Sequence, residues 1–285
     1  MVSAPDGSRA TIDALQRSQL ELFKRALSGY LQLGAGSSFE DFSSLNGKTY
    51  DFERFSWKIP GPARPHTLLT GVRLDALEQL MRRTIEEGVA GDYIEAGAHR
   101  GGAVIFMRAF LAVMRVPRRR VWVADSFEGI PKTRKPAGRK DIVDEWSDRW
   151  EVGLDVVRDN FMRYGLLDAR VRFLKGFFID TLPAAPIKRI AIMRLDSDSY
   201  ESTMDALTHL YPKLSPGGYV IVDDHHLSGC VQAVLDYRKE KGITAPIRGV
   251  FRSAGHTAEE VFWQAETSRA GSKSARARKR KNVGA

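Results

Sequence analysis

Short apolar runs alternate with longer amphipathic stretches along the middle of this 285-residue chain. The apolar runs lie at residues 92–96, 120–125, 169–174, 188–195 and 218–223. The stretches between them repeat apolar side chains at helical spacing, as residues 200–214 do with Met204, Leu207, Leu210 and Leu214. Strands that alternate with helices predict an α/β fold, in which a mostly parallel sheet has helices on both faces.

Two further helical patterns precede the first strand, at residues 11–33 and 73–87. Between them, residues 45–66 hold aromatic side chains and prolines in irregular order. This segment suits a lid or subunit contact across the mouth of a site, and a structural wrap without ligand contact is the alternative. We expect the protein to form a homo-oligomer.

The first strand runs into a glycine-rich turn that opens a helix at residues 103–113. Gly97 permits a backbone bend that a Cβ would obstruct, and Gly101 and Gly102 let a ligand approach the helix. Such a turn is typical of nucleotide-cofactor sites, although a plain tight turn remains possible. It departs from the NAD-binding fingerprint, which reads G-x-G-x-x-G with an acid about 20 residues later.

The first two strands each end on an acid, Glu95 and Asp125. A carboxylate in the position of Glu95 suits a ligand with a cationic amino-acid end better than it suits a pyrophosphate. Asp125 is then placed to bind ribose hydroxyls. Together the two acids predict S-adenosylmethionine as the cofactor.

More acids follow the fourth and fifth strands, in Asp196-Ser-Asp198 and Asp223-Asp224. The carboxyl ends of parallel strands meet at one edge of a sheet, so these side chains should converge with Glu95. Crowded carboxylates repel each other unless a cation joins them, and oxygen ligands favour Mg²⁺. We predict Asp196, Asp223 and Asp224 as Mg²⁺ ligands; a helix cap at Asp196 or Asp198 and a polar loop are the alternatives.

Methyl transfer from a sulfonium requires an oxygen nucleophile, and a sugar hydroxyl is barely ionised at neutral pH. Bound Mg²⁺ lowers the pKa of a coordinated hydroxyl, and a base must then take its proton. Asp196 is the simplest candidate for this base. His225 or His226 would serve if its ring lies within hydrogen-bond reach of the hydroxyl.

The chain resembles the TylF-type macrocin O-methyltransferases over residues 67–238. The resemblance rests on motifs at residues 67–74, 94–103, 124–131, 174–183, 194–203 and 214–224. It implies the class I methyltransferase sheet, S-adenosylmethionine as the cofactor and Mg²⁺-dependent methylation of a sugar hydroxyl on a natural product such as a macrolide.

Carried over by motif, Asp196, Asp223 and Asp224 become the metal ligands and residues 176–180 the adenine edge. The predicted cofactor site then consists of Thr67, Glu95, Gly97, Arg100, Gly101, Gly102, Asp125, Ser126, Gly176, Phe177 and Asp180. Three features depart from the family's pattern and concern the acceptor: His99 in place of a bulky aromatic, Thr70 in place of a glycine, and the pair His225-His226.

Composition limits the remaining possibilities. Residues 269–285 hold seven Lys and Arg and no acid, so most of the formal charge of +9 lies in this tail. We expect it to be disordered, and either solubilising or in contact with an anionic partner such as RNA, a membrane surface or an acidic carrier. The single cysteine, Cys230, excludes a disulfide within the chain and suits a cytoplasmic protein.

The expected organisation has three parts. Residues 1–66 form an N-terminal helix with the lid or oligomer contact, residues 67–266 a methyltransferase domain, and residues 267–285 a basic tail. Within the domain, the charged residues 131–150 are expected to form an acceptor-binding loop over the cofactor pocket. No apolar run reaches the roughly 18 residues of a membrane span, and residues 1–8 lack a signal-peptide pattern.

The sequence therefore predicts Mg²⁺-assisted methyl transfer from S-adenosylmethionine to a sugar hydroxyl on a glycosylated small molecule. A catechol-type or other small-molecule O-methyltransferase is the alternative within the same fold. A nucleic-acid-binding or assembly protein on a methyltransferase scaffold is the alternative from another class, suggested by the basic tail. A pure binding module has no need of the acid trio, which favours an enzyme.

Overall fold

The structure is a computed structural model that describes residues 6–32, 65–134, 150–250 and 260–266. The lid or subunit contact predicted at residues 45–66 lies outside these residues except for its last two positions. Residues 135–149 of the predicted acceptor loop and the basic tail also lie outside them.

The strands form one seven-stranded sheet. In chain order they are β1 (Asp92–Ala96), β2 (Val121–Asp125), β3 (Val171–Lys175), β4 (Ile190–Leu195), β5 (Leu214–Val222), β6 (Arg248–Val250) and β7 (Glu260–Gln264). Their order across the sheet is β3-β2-β1-β4-β5-β7-β6. Strands β1 to β5 pair in parallel, whereas β7 runs antiparallel to β5 and β6. The predicted α/β fold is confirmed, and β6 and β7 are additions that the sequence pattern did not predict.

Helices cover both faces of this sheet. They are α1 (Asp6–Leu27), α2 (Gly71–Glu86), α3 (Gly102–Val113), α4 (Leu154–Arg163), α5 (Phe178–Thr181), α6 (Tyr200–Leu210) and α7 (Ser228–Lys241). Helices α1 to α4 pack on one face, and α5 to α7 pack on the other. Among the described helices, none has the length and apolar character needed to cross a membrane.

The end of α6 differs from the prediction of one helix over residues 200–214. The α-helix ends at Leu210 and continues as a short 3-10 turn, Tyr211–Lys213. Pro212 lies in this turn, and a proline has no backbone N–H with which to continue an α-helix. As a result β5 begins at Leu214, four residues before the predicted strand at Gly218.

The C-terminal end of α1 is bonded to the segment that leads into α2. The carbonyl oxygen of Leu27 accepts hydrogen bonds from the backbone amides of His66 at 2.8 Å and Thr67 at 3.1 Å. The buried ammonium of Lys24, one turn earlier, forms ion pairs with Asp75 and Glu78 of α2. Leu20 and Leu27 also belong to the core of the α1–α4 face. Through these contacts α1 fixes the position of His66 and Thr67.

The glycine turn after β1 touches the end of β4. Gly97 has a φ of +92°, and a Cβ built on it would lie 1.6 Å from the carbonyl oxygen of Asp196. A Cβ on Gly102 would lie 2.3 Å from the carbonyl oxygen of His66. The prediction that Gly97 permits a bend closed to other residues is therefore confirmed, and the two glycines allow three chain segments to meet.

We predict that Gly97→Ala lowers the free energy of unfolding by roughly 2–5 kcal/mol, because it adds a backbone overlap to the strain of a positive φ. The matched control is Gly242→Ala, since Gly242 also has a positive φ, +64°, but a Cβ built on it would meet no atom within 4 Å. We expect the control to lose only about 1 kcal/mol in urea denaturation. Equal losses in the two variants would contradict the steric explanation.

Candidate active site

A cavity of about 350 Å³ opens at the carboxyl ends of β1, β2, β4 and β5. Six acids from these strand ends line its wall: Glu95, Asp125, Asp196, Asp198, Asp223 and Asp224. The expectation that acids distant in sequence converge at one edge of the sheet is confirmed. Of the other predicted cofactor residues, the wall contains Thr67, Gly97, Gly102, Ser126 and Phe177.

Four predicted cofactor residues lie outside this wall: Arg100, Gly101, Gly176 and Asp180. Gly101 and Gly176 have φ angles of +86° and +132°, so their local contribution is to the shape of the two turns. The carbonyl oxygen of Arg100 accepts a hydrogen bond from the Asn160 side chain at 2.9 Å, which ties the glycine turn to α4.

Asp125, at the end of β2, organises the backbone around the cavity. Its Oδ2 accepts hydrogen bonds from the amides of Ala98 at 2.7 Å and His99 at 3.1 Å. Its Oδ1 accepts one from the amide of Phe127 at 2.7 Å. Burial raises the pKa of Asp125, and these backbone donors oppose the rise. Asp125 therefore joins the glycine turn to the loop after β2.

Glu95 lies at the base of the cavity and is almost fully buried, with 2% of its surface exposed. Its Oε1 accepts a hydrogen bond from Arg194, whereas Oε2 is buried without a hydrogen-bond partner among the described residues. Burial raises the pKa of Glu95 to about 8, although Arg194 opposes that rise. An unpaired carboxylate oxygen in a cavity wall is suited to a ligand that donates hydrogen bonds.

Three carboxylates of the cavity wall approach one another closely. One oxygen each from Asp196, Asp198 and Asp224 lies within 4.8 Å of the others. Asp224 also shapes the loop, because its Oδ2 accepts hydrogen bonds from the amides of Ser197 and Asp198, both at 3.1 Å. Asp198 has a φ of +58°, which is unusual for a residue with a side chain.

Neither Asp196 nor Asp198 caps the following helix. The N-cap of α6 is Ser199, whose Oγ accepts a hydrogen bond from the amide of Ser202 at 3.1 Å. The alternative that treated these two acids as helix caps was therefore wrong.

Asp223 has different neighbours from the other predicted ligands. Its Oδ1 lies 2.7 Å from Nη2 of Arg194 and 3.3 Å from Nη1 of Arg73. Burial alone would raise its pKa, but the two arginines hold it at about 2. The predicted trio thus shares one cavity, but Asp198 takes the place of Asp223 in the tightest group of carboxylates.

Sequence reasoning missed three charged residues at this site: Arg73, Arg194 and Glu260. Arg194 had a signal, because it is the one charged residue in the otherwise apolar sequence of β4. Arg73 and Glu260 had none, since each reaches the site through the packing of α2 or β7. Of the two histidines, His226 lines the cavity and His225 does not. The wall also contains His99, whose ring centroid lies 5.5 Å from that of Trp150 in an edge-to-face arrangement.

The strand order, the glycine turn after β1 and the acids at the ends of β1 and β2 define a class I S-adenosylmethionine-dependent methyltransferase. The solved O-methyltransferase NovP superposes with a TM-score of 0.74 at 38% identity, covering 88% of this chain and 99% of that one. The calicheamicin methyltransferase CalS11 shares the fold at 20% identity, with a TM-score of 0.54 over 81% of this chain and 98% of that one.

The chain belongs to the macrocin-O-methyltransferase (TylF) family, whose profile matches residues 42–263. One relative, a rhamnosyl-tetracenomycin C 4'-O-methyltransferase from Streptomyces olivaceus, is 47% identical over 71% of this chain and 77% of its own. Mycinamicin III 3''-O-methyltransferase from Micromonospora griseorubida is 38% identical over 86% of this chain and 95% of its own. Demethyldecarbamoylnovobiocin O-methyltransferase from Streptomyces niveus is 45% identical over 81% and 89%. The protein is accordingly an O-methyltransferase.

We predict that Asp125→Ala lowers the free energy of unfolding by about 1–3 kcal/mol, because backbone amides at the cavity lose their acceptor. The variant should also bind S-adenosylhomocysteine more weakly, by ~1.5–3 kcal/mol in calorimetry. The control is Asp92→Ala at the start of β1, far from the carboxyl ends of the strands. Asp92 accepts hydrogen bonds from the Arg120 amide and the Trp122 ring N–H, both at 2.9 Å. We expect the control to lose stability but keep its affinity; loss of affinity in both variants would contradict a local role for Asp125.

Proposed function

We propose that this protein transfers a methyl group from S-adenosylmethionine to a hydroxyl of a sugar on a glycosylated small molecule, with the help of Mg²⁺. The observation that carries the proposal is the gathering of Asp196, Asp198 and Asp224 in the same cavity as Glu95 and the glycine turn. The names of two relatives support a sugar acceptor, since one specifies a rhamnosyl group and the other a 3''-oxygen.

The cofactor end of the cavity is assigned to the glycine turn and its acids. The unpaired Oε2 of Glu95 fits the ammonium of an amino-acid end, and Gly97 and Gly102 let the glycine turn close against Asp196 and His66 beside it. Asp125 and Ser126 lie where ribose hydroxyls would reach them, and Phe177 supplies an apolar surface for the adenine. Thr67 completes this wall beside the glycine turn, where it lies against Gly102.

The carboxylate group fits a hard divalent cation, because it offers only oxygen ligands. Asp196 and Asp224 would hold the ion, with Asp223 as the third ligand expected from sequence or Asp198 as the third carboxylate close enough. Bound Mg²⁺ would lower the pKa of a sugar hydroxyl and fix its orientation. To bind the ion, Asp223 would have to give up at least part of its ion pairs with Arg73 and Arg194.

Asp196 is the base that we propose for the hydroxyl proton. In the metal-free protein, burial and the neighbouring Asp223 raise its pKa to about 6, so Asp196 is ionised at neutral pH. With the ion bound, it would accept the proton on an oxygen that does not hold the ion. Its Oδ2 accepts a hydrogen bond from Arg194 at 2.9 Å, which holds the side chain in place. His226, on the cavity wall, is the second candidate, and His225 would need to turn towards the cavity to act.

The acceptor would enter between the carboxylates and the loop after β2. Ile130 and Pro131 line this part of the cavity, and Arg134 ties the loop to α6 through ion pairs with Glu201 and Asp205. His99 and Trp150 face the same space. Apolar and aromatic surface beside a group of carboxylates suits a sugar attached to a larger apolar molecule.

Cofactor affinity should rise with pH in the neutral range. In the free protein Glu95 has a pKa of about 8, so it is largely protonated at pH 6. A bound ammonium favours its ionised form, and S-adenosylhomocysteine should therefore bind with release of a proton. We expect affinity to increase by up to about tenfold per pH unit between pH 6 and 8 and then to level off. Calorimetry in two buffers of different ionisation enthalpy measures the proton release.

Glu95→Gln is the matched control for this pH dependence, because the amide keeps the shape but cannot ionise. Its affinity should be weaker and flat over the same pH range. A wild-type affinity that does not change between pH 6 and 8 would contradict the role assigned to Glu95.

Metal removal should separate catalysis from cofactor binding. We expect EDTA to abolish turnover while leaving S-adenosylhomocysteine affinity nearly intact, and Mg²⁺ or Mn²⁺ to restore turnover. Asp224→Asn should raise the Mg²⁺ concentration needed for half-maximal rate. Asp196→Asn should lose more, about 10²–10⁴-fold in rate, because it removes a ligand and the base together.

Two further variants identify the third Mg²⁺ ligand. Asp223→Asn and Asp198→Asn should differ, and the one that raises the Mg²⁺ requirement identifies the carboxylate that binds the ion. Asp159→Asn, an exposed acid on α4, is the matched change outside the cavity and should behave as wild type. Full turnover in EDTA, or a wild-type rate for Asp196→Asn, would refute the metal-assisted mechanism.

The acceptor class is tested by methyl transfer from labelled cofactor to three probes: a rhamnosylated polyketide, its aglycone and catechol. Label in the glycoside alone is the expected result. Label in catechol alone would replace the sugar acceptor by a flat aromatic one, and label in the aglycone would show that the sugar is not needed.

A further inference from the structure

Arg194 is the one buried cation on the floor of the active site among the described residues. None of its surface is exposed, and it is the one charged residue in a strand of otherwise apolar residues. Its Nη1 donates hydrogen bonds to Glu95 and, at 2.9 Å, to Asp196. Its Nη2 lies 2.7 Å from Asp223 and 3.8 Å from Glu260. One guanidinium thus touches the acid assigned to the cofactor and the acid assigned to the metal.

The register of the sheet brings these residues to one face. Glu95 of β1 and Arg194 of β4 are direct partners, and Arg194 is also the partner of Ile221 in β5. Side chains two positions apart in a strand point the same way, so Asp196 lies on the same face beyond Arg194, and Asp223 lies beyond Ile221. Strand pairing thus places Glu95 beside Arg194, and the hydrogen bonds from Nη1 complete the contact with Asp196.

We propose that Arg194 is a positioning residue, which sets the carboxylates of Glu95 and Asp196 relative to each other and thereby couples cofactor binding to metal binding. This inference rests on the proposed function, because it takes Glu95 as a cofactor ligand and Asp196 as a metal ligand.

The shape of the guanidinium explains why arginine stands here. Both hydrogen bonds come from Nη1, whose two N–H bonds lie at a fixed angle in the plane of the guanidinium, so this one nitrogen sets the directions of both carboxylates. A lysine ammonium carries the same charge on a flexible stem and cannot fix two carboxylates in one geometry. Arg194→Lys therefore removes the geometry and keeps the charge.

Stability gives no sufficient reason for this residue. Buried ion pairs often contribute no more to folding than well-packed apolar side chains of similar volume. The strand around Arg194 is apolar and buried on both faces, so apolar side chains in place of Arg194 together with its acidic partners would suit the sheet. The positive charge at this position is explained by the way it orients the carboxylates around the cavity.

The test compares Arg194→Lys with Arg108→Lys. Arg108 is also buried and paired with a carboxylate, that of Asp168, but it lies in α3 away from the cavity wall. Binding is measured without turnover, by calorimetry with S-adenosylhomocysteine and by electron paramagnetic resonance of free Mn²⁺. We expect Arg194→Lys to weaken both affinities, each by about 10- to 100-fold, because an oriented charge-assisted hydrogen bond is lost at both sites.

The controls separate coupling from general damage. Arg108→Lys should lose thermal stability without changing either affinity. Glu95→Gln should weaken only the cofactor, and Asp196→Asn only Mn²⁺, so a joint loss is specific to Arg194. Wild-type affinities in Arg194→Lys, or loss of only one of them, would overturn the proposal.

Failure of the proposed function gives a different result. A wild-type protein that binds no Mn²⁺ would overturn the metal site, and with it the coupling. The cofactor titration would then still decide whether Arg194 positions Glu95.

If Arg194→Lys does not fold, the double variant Arg194→Met with Asp196→Asn is compared with Arg194→Met alone. Removing the carboxylate that Arg194 pairs in the folded protein should restore part of the lost stability, since loss of Arg194 leaves that buried charge uncompensated. Additive losses in the two variants would show that Arg194 is needed only for packing and would overturn the proposal.

Discussion

Repulsion among carboxylates at one edge of the sheet is the constraint on which the site depends. Parallel strands bring their carboxyl ends together, and here four strands end on acids. Each acid is stabilised differently. Backbone amides hold Asp125 and Asp224, and arginines hold Glu95 and Asp223. Asp196 contacts Arg194 and also belongs to the group of closely spaced carboxylate oxygens, so it is the acid that joins the two kinds of environment.

This division of partners explains the spread of proton affinities within one cavity. Asp223 stays ionised because two arginines outweigh its burial, whereas burial keeps the pKa of Glu95 near 8 despite Arg194. Two carboxylic acids that contact the same guanidinium thus have opposite pKa shifts. Such a spread is typical of active sites, in which neighbouring acids take different roles.

Much of the fold could be predicted from sequence, because it depends on local patterns. Apolar runs located β1 to β4 within one or two residues, and the glycine turn was placed correctly by its residue types. The misses have tertiary causes. Pro212 shortened α6 in favour of β5, and β7 adds to the sheet through pairing that no local pattern records. The same holds for the site. The strand ends predicted which acids come together, but not which side chains and backbone amides each acid binds. Asp198 was considered a helix cap and left out of the predicted ligands; its left-handed backbone and its bond to Asp224, which bring it to the other acids, cannot be read from the sequence.

The bonds at Leu27 give the N-terminal helix a part in the active site without any side chain of that helix entering the cavity wall. Carbonyl groups in the last turn of a helix have no partner within the helix. The carbonyl of Leu27 is satisfied by His66 and Thr67, which line the cavity beside the glycine turn. A division of the chain at residue 66 would therefore cut through a hydrogen-bonded unit. The smallest piece that retains the cofactor wall begins before α1, so truncations and domain exchanges in this family should carry that helix along.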